Sequence, residues 1–335
     1  MDTSVELGAV LVTGGAGYIG SHAAKALRRA GRRVVIYDNL YQGHRLAALG
    51  AETVEGDTRD VALLRQVIAT RGVTSVMHFA AWASVGESVR DPAGYYRNNV
   101  DGTLSVLEAM GCEGVTRFIF SSTCAVFGEP QEIPITEDSP KTPINAYGES
   151  KLAVERALPH FERAYGIHTI CFRYFNAAGA DPEGELGEDH RPELHLIPLA
   201  LDAASGGARL RVFGDDYPTP DGTCLRDYIH VCDLAEAHLL GLAALEREPR
   251  SAAYNLGNGR PYSVREVLAS VERVTGLPVP HQITARREGD PAVLFGSSAR
   301  IRPELGWTPH YGDLDTIVRT AWRWRQAHPK GYEGN

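Results

Sequence analysis

The apolar run Ala9-Val10-Leu11-Val12 leads into Thr13-Gly14-Gly15-Ala16-Gly17-Tyr18-Ile19-Gly20 and then a helical stretch to about Arg29, and this succession constrains the chain more than any other feature. A strand that passes through glycines into a helix opens a βαβ unit. Glycines at 14, 17 and 20 let the backbone turn tightly, approach a pyrophosphate and seat the helix on the strand; the helix N-terminus adds amides and the positive end of its dipole. The spacing is GxxGxxG rather than GxGxxG, and a bare turn can produce the same letters. The next strand argues for a nucleotide. Arg33-Val34-Val35-Ile36-Tyr37 ends in Asp38, eighteen residues after Gly20, where a carboxylate accepts hydrogen bonds from an adenosine ribose diol and repels a 2′-phosphate. The expected cofactor is NAD rather than NADP.

Apolar strands near 9–13, 34–37, 52–55, 75–80, 117–122 and 168–174 alternate with helical patterns. This is the signature of the α/β class, with a Rossmann-type, doubly wound parallel sheet that collects ligands at the carboxyl ends of its strands. The candidate residues fall there: Asp38 after the second strand, Asp57-Thr58 after the third, Phe79-Ala80-Ala81 after the fourth and Ser122-Thr123 after the fifth. Beyond about 176 the texture changes to longer loops such as Asp181-Pro182-Glu183-Gly184 and Asp215 to Gly222. The expected division is a cofactor domain over 1–176, with returning segments at about 226–260, and a smaller C-terminal α/β substrate-binding lobe over 177–335. Ala253-Tyr254-Asn255-Leu256 is a candidate to rejoin the sheet.

Tyr147-Gly148-Glu149-Ser150-Lys151 places a phenol and an ammonium four residues apart, with one of only four lysines in the chain (Lys25, Lys141, Lys151, Lys330). In the first turn of a helix the two share a face. An ammonium beside a phenol favours the phenolate, so the pKa of Tyr147 is expected to fall from about 10 toward that of a working general base. Such a pair suits removing a proton from an alcohol while hydride leaves the same carbon.

Composition narrows the class. The chain has 335 residues, 43% of them hydrophobic, which is enough for a substantial core. A net charge of −8 argues against nonspecific binding to nucleic acid or anionic membrane. Met1-Asp2-Thr3-Ser4-Val5-Glu6 has no basic run, and the apolar stretch after it stops at glycines, so neither a signal peptide nor a membrane span is expected. Five scattered cysteines (112, 124, 171, 224, 232) without CxxC spacing point to a reducing, cytoplasmic setting.

Further segments sharpen the reading: Asp38-Asn39-Leu40, Gly56-Asp57, His78-Phe79-Ala80, Val85-Gly86-Glu87-Ser88, Asn98-Asn99-Val100, Phe120-Ser121-Ser122-Thr123 and Arg173-Tyr174-Phe175-Asn176. With the glycine loop and Tyr147 to Lys151, they make the chain resemble the extended short-chain dehydrogenase/reductase family nearly end to end. Phe213 to Thr219, Asp221 to Thr223, Arg226 to Val231 and Arg286 to Asp290 narrow the resemblance to its UDP-sugar 4-epimerases.

The resemblance implies an isomerase in which Tyr147 is the base, Lys151 binds the nicotinamide ribose and lowers the Tyr pKa, and Thr123 helps at the sugar 4-OH. Hydride leaves C4 for NAD and returns to the other face of a 4-keto sugar, so the cofactor stays bound and is recycled. Cofactor contacts are implied at Gly14, Gly17, Tyr18, Ile19, Gly20, Asp38, Asn39, Asp57, Thr58, Phe79, Ala80, Ala81, Asn99, Ser121, Tyr147, Lys151 and Tyr174. The UDP-sugar is implied to meet Ser122, Thr123, Tyr147, Phe175, Asn176, His195, Leu196, Phe213, Arg226, Arg287, Asp290 and Leu294, the two guanidiniums suiting bidentate phosphate recognition. Expected substrates are UDP-glucose and UDP-galactose. Leu294 stands where relatives restricted to simple hexoses have tyrosine, so UDP-N-acetylglucosamine and UDP-N-acetylgalactosamine are expected to enter as well. A UDP-pentose or UDP-uronate 4-epimerase would use the same constellation, whereas an NAD-holding redox sensor would need no base at Tyr147. The resemblance also implies a homodimer.

Two departures stand out: Ala81-Trp82-Ala83-Ser84 lacks the lysine many members carry there, and position 125 is alanine where some relatives have a second hydroxyl. A dehydratase would need an Asp-Glu pair after Thr123 to expel hydroxide, which Cys124-Ala125 cannot supply. Glu188, Asp189, His190, Glu193 and His195 match no helix-borne ligand motif, so no metal is expected. His78 reads as a hydrogen-bonded core residue, Cys124 as a small buried filler, and Trp322 and Trp324 as packing for the last helix.

Overall fold

The computed structural model describes residues 8–287 and 291–332. The chain runs β1 (Ala9–Thr13), α1 (Tyr18–Arg29), β2 (Val34–Asp38), β3 (Glu52–Glu55), α2 (Val61–Thr70) and β4 (Val73–His78). Two short helices, α3 (Val85–Arg90) and α4 (Pro92–Tyr95), a π-helical stretch Tyr96–Asp101 and α5 (Gly102–Glu113) lead to β5 (Arg117–Thr123), α6 (Ala146–Tyr165) and β6 (His168–Tyr174). There follow β7 (Asn176–Ala178), α7 (Leu196–Ala204), β8 (Leu210–Phe213), β9 (Leu225–Arg226), β10 (Tyr228–His230) and α8 (Val231–Arg247). The last elements are β11 (Ala252–Leu256), β12 (Tyr262–Ser263), α9 (Val264–Thr275), β13 (His281–Thr284), β14 (Val293–Leu294), α10 (Ile301–Leu305) and α11 (Leu314–Ala327). No helix of the described residues is long and apolar enough to cross a membrane.

Residue contacts divide the chain into two units: Met1–Val126 with Asn145–Phe172 and Ala235–Ala253, and Phe127–Ile144 with Arg173–Leu234 and Tyr254–Asn335. The first is built on a seven-stranded sheet in the order β11-β6-β5-β4-β1-β2-β3, with β11 at one edge. β1 pairs parallel to both β2 and β4, β2 to β3, and β4 to β5. All five residues of β1 and of β2 are buried. Helices on both faces impose that, which is why these strands read as continuous apolar runs rather than alternating ones. Leu11, Val35, Val76, Leu107, Met110, Phe118, Phe120 and Val154 belong to the resulting core. The strand order reverses between β1 and β4, the place where an open α/β sheet leaves a crevice beyond its strand ends.

The second unit has a separate core that includes Ile197, Leu201, Val212, Tyr228, Val267, Val271, Ile317 and Val318. Its strands form small sheets, β10 with β7, β13 with β8, and β12-β9-β14. A capping box, Ser263 with Glu266, starts α9. Residues 127–144 join this unit through non-local pairing: Ile135 N donates to Phe295 O, Ser297 N donates to Ile135 O, and Glu137 Oε1 accepts from Asn255 N. Trp322 and Trp324 of α11 pack as the sequence suggested; Trp324 is buried and stacked on His328.

Candidate active site

The glycine loop joins β1 to α1. Gly14 has φ +72°, and a Cβ there would lie 2.5 Å from Ala80 N; one at Gly20 would lie 2.1 Å from Gly14 O. Around Gly17, by contrast, a Cβ would meet only Gly14 O, at 3.3 Å. No side chain caps the N-terminus of α1 and no acidic residue lies in its first turn. The loop is thus closed toward the sheet and open at Gly17, a cradle that suits a pyrophosphate at a helix N-terminus. Asp38, at the end of β2, is buried and accepts from Ala16 N at 3.0 Å and Leu40 N at 2.8 Å. Burial raises its pKa, against those amide bonds. Asn39 is hydrogen-bonded to Asp57, which Arg59 also clasps through two guanidinium bonds of 2.8 and 2.6 Å. Asn39 and Asp57, two of the residues expected around an adenosine, are thus brought together.

Beyond β4, the side chain of Asn99 accepts from Trp82 N at 2.9 Å and donates to Trp82 O at 3.0 Å and Ser150 Oγ at 3.1 Å. Its amide is spent on holding the segment 81–84 in place. Tyr41 stacks on Trp82, ring centroids 5.4 Å apart, an aromatic pair where the missing lysine would have put a charge. Sequence reasoning missed this pair; only the fold brings the loop after β2 beside the one after β4. His78 is the core residue expected. Thr103 Oγ1 donates its one proton to Asn99 O at 2.6 Å, so His78 Nε2 must donate to Thr103 Oγ1 at 2.9 Å, leaving Nδ1 to accept from Thr13 Oγ1 at 2.7 Å. Burial, helped by the Lys151 charge, pushes its pKa down to about 3.

Thr123 ends β5, and α6 begins at Ala146 because Asn145 caps it, its Oδ1 accepting from Gly148 N at 2.9 Å. That start places Tyr147 in the first turn. The Tyr147 hydroxyl is hydrogen-bonded to Thr123, and Lys151 Nζ, buried, donates to Ser121 O at 2.8 Å above the Phe120 ring. The expected lowering of the Tyr147 pKa is overturned for the protein by itself. Burial pushes the phenol up to about 12, outweighing the Thr123 hydrogen bond, and burial brings Lys151 down to about 7. The ammonium donates its hydrogen bond to the Ser121 carbonyl rather than to the phenol. Glu155, one helical turn beyond Lys151, is the residue that sequence reasoning missed: it opposes the loss of the Lys151 charge and accepts from Ser122 Oγ at 2.6 Å. The same i,i+4 step that joins Tyr147 to Lys151 would have found it. Cys124 follows Thr123 half-buried, so it is not the buried filler expected; Ala125 N donates to Thr123 Oγ1.

In the second unit, Asn176 Nδ2 donates to Asp227 O at 2.8 Å, and Arg226 to the carbonyls of Leu225 and Pro291. The Arg287 guanidinium lies 3.9 Å from the centroid of the Phe213 ring, while Arg286 is tied to Asp216. Leu294 is in register with Arg226 on neighbouring strands. Tyr174 and Phe175 are buried, and Leu196 opens α7 directly after His195. Asp290 lies outside the described residues. The segment set aside as a metal site because of its spacing does converge: donor atoms of Glu188, His190, Glu193 and His195 lie within 4.8 Å of one another.

The model of the NAD dependent epimerase/dehydratase family matches residues 10–257. The chain belongs to this family. It is 50% identical over 325 residues to the UDP-glucose 4-epimerase of Halalkalibacterium halodurans, covering 97% of each chain. Its fold is similar to that of UDP-glucose 4-epimerase from Brucella ovis in complex with NAD, with a TM-score of 0.92, 51% identity and coverage of 94% and 97%. It is also similar to the UDP-Glc/GlcNAc 4-epimerase of Campylobacter jejuni, with a TM-score of 0.84, 38% identity and coverage of 96% and 99%. The family member is an isomerase and its cofactor is NAD, as the sequence led us to expect.

Proposed function

We propose that this chain interconverts UDP-glucose and UDP-galactose by inversion at C4. The observation that carries the reading is the half-buried Tyr147, its hydroxyl bonded to Thr123, one helical turn before buried Lys151, in a chain half identical to a UDP-glucose 4-epimerase over nearly its full length. NAD, when bound, would supply the hydride acceptor and donor for C4. The cradle at Gly14, Gly17 and Gly20, with Tyr18 and Ile19 opening α1, holds its pyrophosphate, and Asp38 its adenosine ribose. Asn39, Asp57 and Thr58 lie toward the adenine, with Phe79, Ala80, Ala81, Ser121 and Tyr174 completing the cofactor contacts and Asn99 positioning the segment after β4.

Tyr147 takes the proton of the 4-OH and returns it, Thr123 orients that hydroxyl, and Lys151 binds the nicotinamide ribose and stabilises the phenolate. Since burial holds the phenol near 12 despite its bond to Thr123, the positive charges of Lys151 and of the oxidised cofactor, when bound, would be what make it a base. In the second unit, Asn176, Arg226 and Arg287 grip the UDP part, with His195, Leu196 and Phe213 beside it and Leu294 setting room at the sugar. The loss of the dehydratase acid pair at Cys124-Ala125 favours epimerisation over loss of water. Denaturing the pure protein should release NAD, and incubation with UDP-galactose, UDP-N-acetylgalactosamine and UDP-arabinose, without added cofactor, should give the 4-epimer of the first most rapidly. Release of NADP, or turnover only with external NAD, would falsify the self-contained cycle.

A further inference from the structure

Between Gly187 and α7 the second unit carries four side chains that the reaction above does not use as a set. Glu188 Oε1 lies 2.8 Å from His195 Nδ1 and 3.2 Å from His190 Nδ1. Glu193 closes the ring, with Oε1 2.9 Å from His195 Nδ1 and Oε2 3.7 Å from His190 Nδ1. A tetrahedral zinc ion with bonds of about 2.0 to 2.1 Å needs neighbouring donors about 3.3 to 3.4 Å apart. The four spacings bracket that edge.

We propose that Glu188, His190, Glu193 and His195 form a two-histidine, two-carboxylate site for a divalent cation of the zinc class. Imidazole nitrogen with carboxylate oxygen selects a borderline metal over calcium or magnesium, which prefer oxygen alone. Two carboxylates also neutralise a dication when both imidazoles are neutral. The donors are built in rather than scattered on a surface: the Glu188 side chain is only 6% exposed and directs Oε1 at both imidazoles, while Glu193 Oε1 is oriented by the amides of Leu194 and His195 at 2.7 and 2.8 Å. His195, 48% exposed, gives the ion its way in from solvent. A bound ion would tie the loop to the start of α7, and so act on the affinity for the nucleotide sugar rather than on the chemical step.

The test uses the full chain, dialysed against chelator and titrated with cobalt(II) and then zinc(II). The expected result is one ion per chain, with the visible bands of tetrahedral cobalt and no thiolate charge-transfer band, since no cysteine is a ligand. Glu188→Gln and, at the exposed rim where folding is not at stake, His195→Gln should each weaken binding by more than the ~10- to 100-fold that loss of a supporting partner costs. An octahedral spectrum, a thiolate band, or unchanged affinity in His195→Gln would overturn the proposal and leave the cluster as a network of ion pairs.

Discussion

In the first unit burial moves Tyr147 up to about 12, Lys151 down to about 7 and His78 down to about 3, so three titratable side chains are driven toward their neutral forms. In the second, desolvation also opposes the charges of Glu188, His190, Glu193 and His195, yet every one is held toward its charged form. His190 is raised to about 9 and His195 well above the usual histidine range, while both carboxylates fall below theirs. What differs is the partner. The direct contacts of the phenol and the ammonium are a hydroxyl, a carbonyl and an aromatic ring, with the one opposing charge, Glu155, a helical turn away; in the 188–195 segment each acid faces two imidazoles. Desolvation prevails where no opposite charge is in direct contact, and pairing prevails where the protein supplies both charges side by side.

The largest effect expected is at the phenol. Tyr147→Phe removes the proton acceptor and leaves the ring, so kcat should fall by ~10² to 10⁴ while the dissociation constant for UDP stays unchanged. Retention of more than about a tenth of kcat would mean that another group is the base, and would break the contrast by making the neutral phenol a packing feature.

Next is the ammonium. A lysine whose folded pKa is about 7 and whose ordinary value is 10.5 must give up its charge or bear its burial. Below pH 7 the full cost is present; it shrinks as pH rises and vanishes above 10.5. That shift corresponds to at most about 5 kcal/mol, and relaxation of the mutant site reduces the observable gain to about 1 to 3. Lys151→Met should therefore be inactive with NAD present, and, with both proteins stripped of cofactor, more stable than wild type at pH 6, the two denaturation curves approaching each other by pH 10. A variant less stable at pH 6 would show that the bond to Ser121 O outweighs desolvation.

The opposite sign is expected in the second unit. Glu188→Gln in metal-free protein removes a charge that both imidazoles depend on, and should cost about 1 to 2 kcal/mol, discounted for the exposed rim at His195. Urea midpoints for this variant and Lys151→Met at pH 6 should lie on opposite sides of wild type.

How much of this could be read from the letters follows the same division. β1 and β2 are buried on both faces and announce themselves as apolar runs, and the glycines and Asp38 take their meaning from chain order alone. The four-residue step from Tyr147 to Lys151 is helix geometry and survives folding unchanged. The pKa direction at Tyr147 was not legible, because it depends on how deeply the first turn of α6 sits and on a carbonyl, Ser121 O, that competes for the lysine. Nor was the grouping of 127–144 with the second unit, since Ile135 finds its partners about 160 residues away, at Phe295 and Ser297. The 188–195 segment has no period for a pattern to reveal; its donors meet only because the loop folds back before α7.

The smallest effect tests size rather than charge. Leu294 lies in β14, half-buried and in register with Arg226, an arginine proposed to hold the UDP part. If leucine leaves space for a 2-acetamido group, wild type should turn over UDP-N-acetylglucosamine as a secondary substrate. Leu294→Tyr fills the space with a ring. The clash should cost about 1 kcal/mol, the lower end of the overpacking range, or roughly a fivefold loss in kcat/KM for the acetamido sugar. UDP-galactose, which has only a hydroxyl at C2, should be nearly unaffected. The ratio of the two kcat/KM values in wild type and variant decides it: equal ratios, or no acetamido turnover in wild type, would remove Leu294 as the gate and leave specificity to the charged contacts of the second unit.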